Sequence, residues 1–152
     1  EPSAAMWAEP NVALHIGGKP STREESWQRM IRYPGHWALM GYGFWVLEEK
    51  ATKRFVGEAG FGQFMRTVDP PLGAPEQGWA LASWAHGKGY ASEAIAAQLK
   101  WAGAHFGRVP FFCMISPENG PSSRVAERHG YLEGARATYK DSASILFRRK
   151  PA

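Results

Sequence analysis

The sequence predicts an α/β fold: one mixed sheet with helices on both of its faces. Three observations carry this. Residues 76–106, EQGWALASWAHGKGYASEAIAAQLKWAGAHF, read as a strand, a glycine-broken turn and a long amphipathic helix. Residues 109–116, VPFFCMIS, form a continuous apolar run, as expected of a strand covered on both faces. Strand, helix and strand within about 40 residues make a right-handed βαβ crossover with parallel strands.

The remaining elements follow in chain order. Residues 3–9 form a short helical piece stopped at Pro10, and residues 15–20, HIGGKP, form a turn. Ser21 or Thr22 caps a helix across 23–31, with Glu24 and Glu25 where the helix dipole favours acids, and Pro34-Gly35 ends it. From Trp37 the aromatic run WALMGYGFWVLEE suits a strand, and its residues 37–45 serve core packing or line an acceptor pocket. A polar turn, 50–54, leads to a returning strand over 55–64. Its glycines at 57, 60 and 62 indicate a bulge or the close approach of another backbone or ligand. Residues 67–75, TVDPPLGAP, are either an ordinary hairpin loop or the border of a substrate site.

After the strand 77–82 and the turn at 87–89, the helix from Tyr90 to Phe106 aligns Ala91, Ile95, Leu99, Ala102 and Phe106 on one face, and Gly107 stops it. Residues 116–121 break the chain. A shorter helix over 122–129 ends at Gly130, and a hairpin around Lys140-Asp141 closes the fold.

At 152 residues and 44% hydrophobic, with seven Trp and eight Phe, the chain is read as one domain, 1–152, able to bury a core without staples. The single cysteine, Cys113, excludes an intramolecular disulfide framework and a Cys-based zinc site. It sits in an apolar strand and reads as a buried thiol. That usage fits a reducing, cytoplasmic setting. His15, His36, His105 and His129 lack ligand spacing, so no metal is expected. No apolar run approaches the roughly 20 residues that span a bilayer, and no signal peptide is visible, so no membrane is expected. The net charge of +4 suits an anionic ligand; the scattered Lys and Arg lower the nucleic-acid reading.

The turn His86-Gly87-Lys88-Gly89-Tyr90-Ala91-Ser92 directs chemistry. Backbone N–H groups at a helix N-terminus form an anion site; the alternative is that the glycines only make a tight turn. A P-loop is excluded because Gly-Lys is followed by Gly89 and position 82 is alanine. A Rossmann fingerprint is excluded because Ser92 stands where its last glycine belongs.

This stretch resembles the coenzyme A signature Q/R-x-x-G-x-G/A of the GNAT superfamily of N-acetyltransferases, with His86 in place of glutamine or arginine. A second motif follows at the family's distance, Asn119-Gly120-Pro121-Ser122-Ser123-Arg124-Val125-Ala126-Glu127-Arg128-His129-Gly130-Tyr131. Together they resemble the RimJ/RimL-type, ribosomal-protein acetyltransferase-like branch. The resemblance implies a mostly antiparallel sheet with a splayed parallel strand pair, in a chain that lacks the family's usual first strand. It implies acetyl-CoA as co-substrate. The backbone of Trp79, Ala80 and Leu81 would pair with the pantetheine arm. His86, Gly87, Lys88, Gly89, Tyr90, Ala91 and Ser92 would hold the pyrophosphate, and Asn119 and Arg124 would contact the coenzyme. Lys88 is otherwise a solvated lysine, and Asn119 a turn-forming one.

The implied reaction is transfer of an acetyl group to a primary amine by direct attack in a ternary complex. The alternative is a catalytically silent acyl-CoA-binding or regulatory module. The acceptor is a protein N-terminus or a small-molecule amine, and a homodimer is compatible. An amine of pKa about 10.4 must lose a proton before it attacks. Glu76 and Glu58 are the candidate bases, each otherwise a structural partner for an arginine. Leu81 N–H could donate to the oxyanion. The superfamily's frequent acid, a tyrosine seven residues after the asparagine, is replaced by Ala126. Ser122 either takes that role at the coenzyme sulfur or caps its helix, and Tyr131 packs in the core.

Overall fold

The computed structural model describes residues 1–151. In chain order the elements are α1 (Pro2–Trp7), α2 (Pro10–Ala13), α3 (Arg23–Met40), β1 (Phe44–Glu48), β2 (Phe55–Gly62), β3 (Glu76–Leu81), α4 (Tyr90–Phe106), β4 (Phe111–Ile115), α5 (Gly120–Arg128), β5 (Leu132–Tyr139) and β6 (Ser142–Arg149), with a one-turn 3-10 helix at Ser83–Ala85. The six strands run in the order β1-β2-β3-β4-β6-β5. The β3–β4 pair is parallel, registered at Glu76 opposite Phe112, and the sheet is otherwise mostly antiparallel. No described helix is long and apolar enough to cross a membrane.

The chain groups into two compact units, and the division falls inside β3. The first unit holds Glu1–Gly62 and Trp79–Ala91; the second holds Gln63–Gly78 and the chain from Ser92 onward.

In the first unit, Thr22 caps α3 through a complete capping box: its side chain accepts from Glu25 N–H, and the Glu25 carboxylate accepts from Thr22 N–H at 2.7 Å. The helix does not end at Pro34-Gly35. It runs through them to Met40 and stops at Gly41, whose φ of +72° is the left-handed cap. Proline disfavours a helix interior by roughly 3 kcal/mol, so contacts on both sides of it must hold the helix together. Tyr33 stacks on Phe44 at 5.4 Å, and Trp37 meets Trp45 edge-on at 5.0 Å while its indole donates to Phe44 C=O. The strand expected from Trp37 therefore begins only at Phe44, and Trp37 packs from the helix.

The glycines of β2 mark close backbone approach. A Cβ on Gly57 would stand 2.3 Å from Ala80 O, and one on Gly60 would stand 2.2 Å from Gly43 O. Leu47 lies opposite Gly57 but Glu48 lies opposite Phe55, so Val56 is an extra, bulged residue. The bulge resets the alternation of β2. Phe55 and Glu58, three residues apart, both meet α1, whose Met6 and Trp7 pack with Val12 on Ala80 and Ala82. Val56 instead joins Leu81 and Ala85, covered by Leu47, Trp79, Tyr90 and Ala91.

In the second unit, α4 buries Ile95, Gln98 and Ala102. Gln98 replaces the expected Leu99 at the centre of that face because it is claimed by a polar chain: Tyr131 OH donates to Gln77, and Gln77 donates to Gln98 at 2.9 Å. Phe106 packs edge-on against Phe111 at the start of β4. The β5–β6 hairpin turns on Lys140 and Asp141, both with positive φ, as a two-residue reversal requires.

Two glycines should respond oppositely to an added methyl group. Gly35→Ala, in mid-helix with nothing within 4 Å of its Cβ position, should stabilise the chain by about 0.5–1 kcal/mol. Gly60→Ala should destabilise it by about 1–3 kcal/mol. Urea unfolding of both variants checks the pair.

Candidate functional site

The glycine turn lies in the first unit. Ala82 N–H donates to Val56 C=O at 2.9 Å, so Ala82 faces β2. By the alternation of a strand, the N–H and C=O of Leu81 then point away from β2. His86 confirms that direction: its Nε2–H donates to Leu81 C=O at 2.8 Å. Gly87 and Gly89 have φ of +72° and +86°, residues 86–89 are exposed, and a Cβ on either glycine would meet nothing within 4 Å. These glycines serve left-handed backbone and open approach rather than internal packing. Immediately after them α4 begins, with Tyr90 donating its hydroxyl to Glu49. Such a turn fits a phosphate group: exposed left-handed backbone leading into a helix N-terminus. Lys88 is not simply solvated; its Nζ sits 4.9 Å from the Trp84 ring centroid.

The second motif lies in the second unit. Asn119, not Ser122, caps α5: its Oδ1 accepts from Ser122 N–H at 3.2 Å. The capping reading of Ser122 is thereby corrected, because a hydroxyl one turn inside the helix cannot take the N-cap place. Ser122 is half-buried and Arg124 is exposed. Ala126 is fully buried, with no hydroxyl to offer, and Tyr131 is 1% exposed, a core residue as its position suggests. Ser92, in the first turn of α4, shares a 2.7 Å hydrogen bond with His129 Nε2. Burial, with Arg128 and Arg149 adding to it, holds the His129 pKa below its ordinary value. Burial, more than the nearby Glu76, pushes the Cys113 thiol pKa well up, as befits an inert core residue.

The two candidate bases differ. In the second unit, Glu76 is gripped by Arg66, with Nε to Oε2 at 2.6 Å and the terminal nitrogen to Oε1 at 3.0 Å. Burial raises the Glu76 pKa while the arginine pulls against it. This is the arginine-partner reading of Glu76. In the first unit, Glu58 is 3% exposed; three neutral donors converge on it, and the Arg29 guanidinium, 3.6 Å over the Trp7 ring, acts on it through charge. Tyr33 OH donates to Oε2 at 2.7 Å, Trp7 Nε1–H donates to the same oxygen at 3.2 Å, and Ser3 donates to Oε1. Burial, then the Glu58 charge, raises the Tyr33 pKa, so the phenol stays protonated.

Sequence reasoning missed Ser3, Trp7, Tyr33, Arg66 and His129. The first three reach Glu58 across 55, 51 and 25 residues, and His129 reaches Ser92 across 37. Arg66 was the nearest to legible: an arginine ten residues before a buried strand carboxylate.

Comparison with known proteins gives concordant findings. The family model for an acetyltransferase (GNAT) domain matches residues 1–132. A GnaT-family acetyltransferase from Bordetella pertussis superposes with a TM-score of 0.84 at 30% identity, over 97% of this chain and 87% of that one. An acetyltransferase from Agrobacterium tumefaciens gives 0.80 at 26% identity, over 97% and 82%. A ribosomal-protein-S5-alanine acetyltransferase from Vibrio fischeri gives 0.72 at 19% identity, over 98% and 86%, a likeness of fold alone.

The Glu76–Arg66 pair generates a pH signature. A carboxyl whose folded pKa is raised favours the protein at low pH, and its penalty grows as pH climbs past the unfolded value of about 4.3. Arg66→Met removes the compensating charge and raises that pKa further. The variant should lose about 2–4 kcal/mol at pH 7.5 and distinctly less at pH 5, measured by urea unfolding at both values.

Proposed function

The chain belongs to the GNAT acetyltransferase family, and from that premise we propose that it moves the acetyl group of acetyl-CoA to a primary amine by direct attack in a ternary complex. The single observation that carries the coenzyme reading is the exposed left-handed Gly87–Gly89 backbone opening α4, where the Cβ position of either glycine is open. Amides of residues 87–92 hold the pyrophosphate. The outward edge of β3 at Trp79 and Leu81 pairs with the pantetheine arm while Ala80 and Ala82 stay with β2. His86, by bonding Leu81 C=O, ties the loop to that edge. Ser92, Asn119 and Arg124 complete the coenzyme contacts.

The chemistry balances without a metal. The amine nitrogen attacks the thioester carbonyl, Leu81 N–H donates to the oxyanion, the C–N bond forms and the C–S bond breaks. The departing thiolate, of pKa about 8.5, takes its proton from water, and in this reading the Ser122 hydroxyl donates a hydrogen bond to the sulfur without giving up its proton. We assign the proton from the amine to Glu58 rather than Glu76. Glu76 is held by Arg66 in a two-bond ion pair, whereas the hydrogen bonds to Glu58 come from neutral donors, with Arg29 acting on it through charge alone among the described contacts. Being buried, it is reached through the Tyr33 hydroxyl, which passes one proton to Glu58 as it accepts another. The acceptor is a primary amine, on a protein N-terminus or on a small molecule.

Acetyl-CoA with a panel of N-terminal peptides and small amines, followed by thiol release, tests the activity. A rise in melting temperature with coenzyme but no thiol from any amine would leave only the silent binding module. Gly89→Glu should abolish coenzyme binding by calorimetry through charge and steric conflict, whereas Gly89→Ala pays only the left-handed backbone strain of about 1–2 kcal/mol. Unchanged affinity in Gly89→Glu would remove the phosphate-loop reading. Glu58→Gln should lower kcat about 100-fold and Tyr33→Phe about 10-fold, with coenzyme affinity kept; wild-type kcat in both variants returns the base to Glu76.

A further inference from the structure

A charged cluster at the β1–β2 turn is left over from the site described above. Trp84, in the 3-10 turn just before the glycine loop, is fixed by its indole N–H, which donates to Phe55 C=O at 3.2 Å. Two cations lie on that one ring. The Arg54 guanidinium carbon is 3.9 Å from its centroid, and Lys88 Nζ is 4.9 Å from it. The two charges are therefore no further apart than the sum of those distances. Tyr90 closes the ring edge-on at 5.9 Å. All these residues belong to the first unit.

Two like charges gathered on one ring repel, and both act on one carboxylate, Glu49. Glu49 accepts from Tyr90 OH and from Thr52. Lys50 and Lys53 are exposed on the same turn. With Glu48 and Glu49 set against Lys50, Lys53, Arg54 and Lys88, the cluster keeps an excess of positive charge. An arginine packed only for its stem would lay its methylenes on the ring. Here the ring supports the charged head, which holds the guanidinium fork flat and preorganised for an oxyanion.

We propose that Arg54, seconded by Lys88, binds the 3′-phosphate of the coenzyme's adenosine. This rests on the acetyl-CoA reading above. There the backbone amides of residues 87–92 and the α4 dipole already meet the pyrophosphate without any side-chain charge. The phosphate of coenzyme A that remains is a terminal monoester with second pKa about 6, doubly charged at neutral pH, and a planar guanidinium at an exposed rim matches it. Lys88 bridges the two places, one residue from each glycine and on the same ring as Arg54. Glu49 opposes any anion at the rim, which is why two cations rather than one are needed there.

Dephospho-coenzyme A lacks only this phosphate and is the probe. Calorimetric titration of the wild-type chain with both ligands at fixed salt should show coenzyme A binding about 10-fold more tightly or better. Arg54→Gln should weaken coenzyme A about 10-fold, leave dephospho-coenzyme A unchanged, and so erase most of the preference. Arg54→Lys should recover part of it, since charge returns without the fork. Equal weakening toward both ligands would move Arg54 to the pyrophosphate and overturn the assignment, as would no weakening at all. A wild-type chain that binds both ligands equally sinks this inference while the acetyl-CoA reading stands; a chain that binds neither removes that reading itself.

Discussion

A carboxylate taken out of water on an inner strand sets the constraint that organises the first unit. Burying a charge without partners costs several kcal/mol, and Glu58 is 3% exposed. Its donors come from α1 and from the middle of α3, so satisfying one side chain fixes two helices on β2. The same demand explains two local irregularities. The bulge at Val56 turns Glu58 toward α1, and α3 runs past Pro34 because Tyr33, just before that proline, is committed to both Glu58 and Phe44.

Around that frame the coenzyme site proposed above is built mostly of backbone. Leu81 offers its peptide groups on the side of β3 away from β2, and His86 reaches back to its carbonyl. A glutamine or arginine in that place, as the family signature usually has, carries a longer and more mobile side chain. Histidine is shorter and rigid, and it fixes the start of the loop relative to the strand end. The Arg54 and Lys88 charges are held on the Trp84 ring beside that turn.

The two strand carboxylates show how equal sequence signals part once packed. Glu58 and Glu76 both stand buried on inner strands. One acquires a bidentate arginine; the other acquires hydrogen bonds from a serine, an indole and a phenol, with Arg29 acting on it through charge. A like sorting separates Asn119 from Ser122. Either could cap α5, and the asparagine, lying just outside the first turn, takes the cap and leaves the serine hydroxyl uncommitted to that role.

The sequence alone determined what is local. A helix cap at Ser21 or Thr22, the glycine turn into Tyr90–Phe106, the apolar β4 run and the Lys140-Asp141 reversal are written in residues at most a few places apart, because caps, turns and strand patterns act over that range. The glycine spacing together with Asn119–Tyr131 also sufficed for the family. Tertiary structure decided the rest: that α3 continues through Pro34-Gly35, that Gln98 and not Leu99 centres its helix face, that Glu76 is paired, and that Arg54 joins Lys88 on Trp84. Each depends on a partner distant in the chain or on another element. The energy of a buried charge or polar group is set by whichever donors the fold brings to it, and no spacing along the chain records them.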